Sequence, residues 1–455
     1  MSNLASLGIT AEKIRAYDQR IPRYTSYPTA PFWREDFDAA AWRAHVEAHA
    51  GATSPLALYI HLPFCEKHCL FCACNVIITP RRDVVARYLG FLEREVEMTS
   101  RLARPAGEVI QLHLGGGTPN YLSIEQMARL VDVMTTHFPF AANAERSIEV
   151  DPRLATPEYV AALHDRCGFG RISFGTQDFH DETQAAIGRG QARALTFANV
   201  AAARAAGFGS VNIDLIYGLP RQTEQSWRET LAAVGELLPD RIALYNFAYL
   251  PDKLAHQRAL ANEVLPEPAL KLQMFIEAHN ALTAAGYVFI GMDHYARRTD
   301  SLTRALEAGT LRRNFMGYNT LRGTDMLAFG TSAISDAWGA FAQNVKKLSV
   351  YERMVGEGVL PVERGLLLDE DDLLRRFIIE EVMCNGRLTL EGPVAAIVEA
   401  EAAALDPLEA DGLLVRQPGE LVVTNKGRIF LRNIAVVFDA HLRRARSRHQ
   451  FSRAV

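Results

Sequence analysis

Four of the six cysteines fall within ten residues, CEKHCLFCAC, as Cys65, Cys69, Cys72 and Cys74, while Cys167 and Cys384 stand alone. In a long chain such clustering points to metal or redox chemistry rather than to disulfides. Three of the four stand in a C-x3-C-x2-C arrangement directly after an apolar β-rich run. Three thiolates on one loop can hold three irons of a [4Fe–4S] cube, and since such clusters otherwise use four cysteines, the fourth iron is left open to a chelating small molecule. The alternative is a structural zinc on four thiolates, but zinc sites usually draw on two separated pairs, and C-x-C crowds neighbouring ligands.

Other residues share this chemistry-bearing character. Gly115-Gly116-Gly117-Thr118 follows the second β-rich run, where glycines let a ligand approach the backbone, although a tight turn explains them equally. Glu149 closes SIEV, and a carboxylate at a strand end can bond ribose hydroxyls as in dinucleotide sites; a surface salt bridge is the plainer role. Asp214 sits inside an apolar run, either as a ligand contact or as a hydrogen-bonded core residue. Gln177 and Arg189 follow the fourth run, and an arginine fork suits a carboxylate. Tyr59 alternates with His61 before the cysteines and Phe71 precedes Cys72; either aromatic also fits a core position.

These residues require a frame. β-rich runs recur as LALYIHLPF just before Cys65, VIQLHL, SIEV, RISFG, VNIDLIYG and RIALYNFAYL, with VFIGMD as a further candidate. Between them lie amphipathic stretches at helical spacing, among them DVVARYLGFLEREVEMTSRLA and SIEQMARLVDVMTTHF. Ser123 with Gln126 resembles a capping box, and Gly207 reads as a helix stop. Strand then helix, six times over, predicts parallel strands with right-handed crossovers. Six units fall short of the eight that close a barrel. The expected fold is α/β, a partial open (β/α)6 barrel over residues 51–364; an open doubly wound sheet also fits. An N-terminal arm or lid over 1–50 and a mainly helical, winged-helix-like unit over 365–455, with a hairpin around Pro418-Gly419 and a final helix, complete the expected organisation.

Composition limits the rest. With 455 residues, 49% hydrophobic and 22% charged, the chain reads as a folded protein of about three domains, or one barrel with appendages. A net charge of −4 argues against binding nucleic acid by phosphate neutralisation. The start MSNLASLGIT is not patterned as a signal peptide, and no apolar run is long enough to span a membrane, so the expectation is a cytoplasmic protein.

The cysteine spacing, with Phe71 before the last ligand, resembles the radical S-adenosylmethionine (SAM) superfamily. YDQ-x2-PRYTSYPTA, YIHLPFC, LHLGGGTPN, GTQDF, NIDLIYGLP, GMDHYA, TSAIS and the terminal QFSR together resemble one of its families, the oxygen-independent coproporphyrinogen III oxidases, from about residue 15 to the end. The resemblance implies that Cys65, Cys69 and Cys72 hold the [4Fe–4S] cluster. It places a first SAM on Tyr59, Gly116 and Glu149, and a second on Phe71, Gly117, Thr118, Gln177, Arg189 and Asp214, with Ala248 and Ile334 contacting SAM through backbone and packing. Cys74 is either catalytic or a packing residue. Arg23, Tyr24, His294 and Arg313 are candidate partners for a tetrapyrrole with four propionates, and the basic tail from His441 to Arg453 is either an exposed helix end or a contact face. The implied activity is the oxidative decarboxylation of two propionates to vinyl groups. It needs a low-potential electron donor of flavodoxin or ferredoxin type, and the chain is expected to act as a monomer. A heme-binding chaperone and a heme-acting radical enzyme share much of this pattern. Val76 and Gly386 depart from the family pattern, away from the cysteine loop's ligands.

Overall fold

The first β-rich run folds as β1, Leu56–Leu62, with every residue but Tyr59 buried. A strand covered on both faces belongs in a parallel sheet with helices outside. β2 (Val109–Gly116), β3 (Phe140–Val150), β4 (Arg171–Gln177), β5 (Ser210–Tyr217) and β6 (Arg241–Asn246) follow in that computed structural model, which describes residues 4–445 and Phe451. They pair in chain order and all in parallel. The crossovers are α1 (Arg82–Ala103), α2 (Ile124–His137), α3 (Pro157–Cys167), α4 (Arg193–Ala206) and α5 (Glu224–Leu237). α2 starts in the expected capping box, with Ser123 Oγ accepting from Gln126 N and Gln126 Oε1 accepting from Ser123 N. α4 ends at Gly207 in a left-handed conformation, φ +98°, which glycine adopts without strain.

The sheet extends beyond these six strands on both sides. The VFIGMD run is β7 (Tyr287–Gly291), which pairs only with β8 (His294–Arg297), and β8 runs antiparallel to β6. β9 (Asp325–Phe329) lies parallel to β1 on its other side. Three antiparallel strands follow it outward: β10 (Ile334–Ala337), β11 (Ala340–Asn344) and β12 (Val362–Leu367). The order is β12-β11-β10-β9-β1-β2-β3-β4-β5-β6-β8-β7, and the end strands do not pair, so the barrel is open.

Two pieces from elsewhere in the chain fill the opening. Helix α6 (Glu370–Cys384) docks through Arg376, whose fork meets both oxygens of Asp336 on β10 at 2.9 and 2.5 Å. The N-terminal arm buries Tyr24, Tyr27 and Trp33. Trp33 stacks on Phe341 of β11 at 5.0 Å, and Arg34 exchanges backbone hydrogen bonds with Gly365 of β12. The hairpin at Pro418-Gly419 is present, as Leu414–Gln417 and Glu420–Val423, with Arg387–Thr389 as a third strand. The single final helix expected from the sequence is instead broken into short helical pieces between Gly427 and Arg444, because Asp439 turns extended and caps a new helix at Leu442 N. Residues 446–450 and 452–455, with most of the basic tail and all of the QFSR string but Phe451, lie outside the described residues. Among the described residues no helix is long and apolar enough to cross a membrane.

One buried acid ties the outer helices to the sheet. Glu95 of α1 accepts from Gly330 N, Asn344 Nδ2 and Tyr351 Oη at 2.6–2.8 Å. Burial pushes its carboxyl up to about 7 against those three donors. A raised folded-state value means that ionisation costs stability as pH climbs from the unfolded value near 4.5 to 7. Relative to Glu95→Gln, the native chain should therefore lose about 3 kcal/mol between pH 4.5 and 8. Urea unfolding of both chains across that range checks this; parallel pH profiles contradict it.

Candidate functional site

The cysteine loop is clamped at its base. β1 leads through Pro63 into Phe64–Cys65, which pairs in parallel with Ile77–Ile78, so the intervening residues close into a loop at the C-terminal end of the barrel. That end is where parallel barrels carry their chemistry. Leu70 N bonds to Ile187 O at 2.9 Å, and His256 Nε2 lies 2.8 Å from Cys72 O, fixing the loop over the barrel mouth.

Beneath the loop is a cavity of about 170 Å³ whose wall includes Cys65, Cys69, Cys72, Cys74 and Phe71. Each of the first three sulfurs faces a donor. Cys65 Sγ is 3.1 Å from Thr118 Oγ1, Cys69 Sγ is 3.4 Å from Arg189 Nη1 and 3.7 Å from Arg153 Nη2, and Cys72 Sγ accepts from Cys74 N at 3.4 Å. Donors to sulfur are what an anionic thiolate-bound cluster requires of its surroundings. Among the described residues no three His, Cys, Asp or Glu side chains converge on a single point. Three thiols spaced around one cavity fit the larger group, a [4Fe–4S] cluster.

The glycine run makes the opposite wall. Gly117 N donates to Leu62 O at 2.8 Å and Thr118 N to Phe64 O at 2.9 Å. Gly116 has φ +110°, and a side chain there would strike the His61 ring. Glu149 sits beside this wall, accepting from Gly116 N at 3.2 Å and meeting His113 Nε2 at 3.3 Å. Burial raises its carboxyl, but His113 and the Gly116 amide outweigh burial and hold it below its ordinary value, so it is ionised at neutral pH. Asp214 behaves in the opposite way. Burial and the charge of Glu149 lift it to about 7, against bonds from Asn212 Nδ2 and Ser173 Oγ. Two carboxylates in one cavity are thus pushed in opposite directions, Glu149 down and Asp214 up.

Gln177 ends β4 with φ +68° and lines the cavity. Arg189 lines it too, but its fork is engaged: Nη2 donates to Gly175 O at 2.6 Å and pairs with Asp151 at 3.2 Å. Tyr59, Ala248 and Ile334 are not on the wall. Tyr59 stacks on His113 with centroids 5.9 Å apart, Ala248 is exposed with its carbonyl accepting from Gln257, and Ile334 packs with Trp33, Phe341 and Leu368. Asp151, Arg153 and His113 were not singled out from the sequence. Asp151 was readable, because it stands two residues after Glu149 and so shares its face. Arg153 and His113 carried no such signal.

Further into the lumen the aromatic and cationic residues gather. His294 lies edge-on to Tyr245 and to Tyr318, with centroids 6.3 and 5.4 Å away. Arg23 reaches in from the arm, 5.8 Å over Tyr245, and pairs with Asp293; Arg313 lies 4.7 Å over Tyr318. Burial, then Arg313 and Arg23, hold the His294 ring well below its ordinary value, hence neutral. Tyr24 turns away, its hydroxyl bonded to Asp439 at 3.0 Å.

The radical SAM superfamily model matches residues 59–234, the span from β1 through most of α5. The chain is 43% identical to the oxygen-independent coproporphyrinogen III oxidase of Synechocystis sp., over 98% of both chains, and 43% identical to that of Escherichia coli, over 97% of both. The structure described as coproporphyrinogen III oxidase (HemN) from Escherichia coli, a radical SAM enzyme, superposes with a TM-score of 0.88 at 42% identity, covering 93% of this chain and 100% of that one. Likeness at this level, running through the arm and the C-terminal helices as well as the cysteine loop, makes the chain a member of the oxygen-independent coproporphyrinogen III oxidase family of radical SAM enzymes.

Proposed function

We propose that this enzyme converts two propionate side chains of coproporphyrinogen III to vinyl groups, giving protoporphyrinogen IX. The observation that carries this is the joining of two features in one barrel: a cavity ringed by three donor-supported thiols, and below it a lumen holding the half-buried Arg23 and Arg313 among aromatic rings. Each propionate must lose CO2, a proton and two electrons, so the overall reaction needs an electron acceptor. A cluster on Cys65, Cys69 and Cys72 with SAM bound beside it would supply a 5′-deoxyadenosyl radical that takes hydrogen from the propionate β-carbon.

The chain's own residues bind, orient and exclude water. Ionised Glu149 suits ribose hydroxyls, and the Gly116 backbone suits the amino acid end of a first SAM. Gly117, Thr118, Gln177, Arg189 and Asp214 suit a second, with Phe71 against it. Tyr59, Ala248 and Ile334 would act from behind these. Cys74, on the same wall, is assigned to hydrogen or proton handling. The arm, within residues 1–50, acts as the lid of the 51–364 barrel, burying Tyr24, Tyr27 and Trp33 to keep the lumen dry; the unit that begins at residue 365 closes the open side through α6. A flavodoxin- or ferredoxin-type protein would supply the electron to a monomeric, cytoplasmic enzyme.

Anaerobic turnover tests the proposal. Reconstituted enzyme, reductant, SAM and coproporphyrinogen III are expected to give a product lighter by two CO2 and four hydrogens, alongside 5′-deoxyadenosine, by mass spectrometry. SAM cleavage with intact propionates would point to a radical enzyme acting on another tetrapyrrole. Tight heme binding with neither product would point to a chaperone.

A further inference from the structure

A second, larger cavity of about 480 Å³ opens at the other end of the barrel. Ala57, near the start of β1, and Asp325 and Met326, the first residues of β9, line it, whereas the cysteine loop follows the end of β1. At about 3.3 Å per residue the two ends are roughly 20 Å apart. Four arginines surround this cavity: Arg312, Arg313, Arg322 and Arg376.

Their charges are not equivalent. Arg312 is paired with Glu381 at 2.5 Å and Arg376 with Asp336. Among the described residues, Arg313 and Arg322 have no ion pair. Arg313 is the more telling, since its Nε and Nη1 are buried without an acceptor. The carboxylates on the wall are already engaged: Asp336 by Arg376, Asp325 by Ser54 Oγ and Trp338 N, and Glu380 by Arg312 at 4.0 Å. Buried charged donors are ordinarily satisfied, so an unpaired guanidinium facing a cavity marks a place for an incoming anion. Arg313 also borders the small cavity beneath Tyr24–Tyr27 of the arm, and it stands on the same aromatic ladder, Tyr318–His294–Tyr245, that leads up toward Asp214 and Glu149. On the outer rim Leu373 and Phe377, one turn apart on α6, are 46% and 42% exposed, an apolar edge beside the charges.

Resting on the function proposed above, we infer that this cavity seats the propionates that the reaction leaves intact. Arg313 is the fork that grips one of them, Arg322 is the second, outer contact, and Leu373 and Phe377 guide the ring face. The substrate is thus held by its unreactive side, which presents the opposite side to the cavity under the cysteine loop. This makes Arg313 a positioning residue that sets which propionates react.

The test uses anaerobic holoenzyme and coproporphyrin III, the oxidised ring with the same four propionates, bound at equilibrium and followed by fluorescence quenching. Removing a charged partner from a buried carboxylate site should weaken binding by about 10- to 100-fold in Arg313→Gln. Arg313→Lys, which keeps charge but loses the fork, should fall between. Arg322→Ala should lose only a few-fold, an effect that shrinks at high salt. In turnover, Arg313→Gln and Arg313→Lys should release more mono-decarboxylated product and more 5′-deoxyadenosine per vinyl formed. Should Arg313→Gln fail to fold, the lysine and Arg322 variants decide alone. Native affinity with an unchanged ratio of mono- to di-decarboxylated product in both would overturn the inference. If the unmodified enzyme binds coproporphyrin III in an Arg313-dependent way yet forms no vinyl product, the seat stands and the proposed reaction fails.

Discussion

Serine at Cys65, Cys69 or Cys72 is expected to abolish turnover to background and to yield protein without the brown absorption of an iron–sulfur cluster. Serine at Cys74 is expected to leave iron and sulfide content at native levels while turnover is lost. The distinction rests on what each sulfur faces. The first three each have a donor from outside their own side chain, from Thr118, from Arg189 and Arg153, or from the Cys74 amide. Cys74 contributes to that set through its backbone N–H, which serine retains. Its thiol lies on the same cavity wall as Glu149 and Asp214 and is not needed for a three-thiolate cluster. Iron and sulfide analysis with anaerobic product assays on the four variants separates the roles. Loss of cluster in Cys74→Ser would make Cys74 a ligand or a support for one, and full turnover would reduce it to packing. The donors make a companion expectation. Arg153→Met removes a contact to Cys69 and one of the two arginine partners of Asp151, and supporting residues of this kind typically cost about 10- to 100-fold in metal affinity or activity.

How far the sequence reveals this site depends on whether the signal is local. The six parallel strands and their helices are legible because runs such as VNIDLIYG and RISFG are both β-rich and bounded by amphipathic stretches. The cysteine loop is legible because its ligands are contiguous. β9 to β11 are not, since DMLAF, ISDA and AFAQN are short and poor in β-branched residues, and β9 is held by pairing with β1 across more than half the chain. The broken C-terminal helix is a case of local capping by Asp439 overriding an apolar period that continues through it. Arg189 shows a further limit. Its residue type suits a free carboxylate, but Asp151, whose position could have been noticed, already occupies part of its fork. Arg313 shows the reverse: its lack of an ion pair is visible only once its neighbours are in place, because a sequence lists charges without assigning them partners.

Alanine at Gly117 is expected to lower turnover by about 100-fold while leaving the cysteines intact, an effect transmitted through backbone alone. A Cβ at this position would lie 2.7 Å from both C and O of Pro63 and 2.9 Å from Leu62 O. None of these atoms can rotate away, so residues 62–64 must move, and they lead directly into Cys65. The same stretch is held by the bonds from Gly117 N to Leu62 O and from Thr118 N to Phe64 O, so the wall and the cysteine loop shift together. Overpacking of this kind costs about 1–3 kcal/mol in stability. A displacement near 1 Å at a reacting centre can by itself cost about a hundred-fold in rate. The control is Gly235→Ala in α5, where a Cβ meets nothing within 4 Å and the backbone is helical; it should be stabilising by about 0.4–1 kcal/mol. SAM binding by equilibrium dialysis, 5′-deoxyadenosine formation and thermal unfolding of the two variants provide the comparison. A Gly117→Ala enzyme that binds and cleaves SAM as the native one does would show that the glycine run serves only to turn the chain. Weakened SAM binding with a retained cluster would instead make that wall a seat for SAM, held in register with the thiols by two backbone hydrogen bonds.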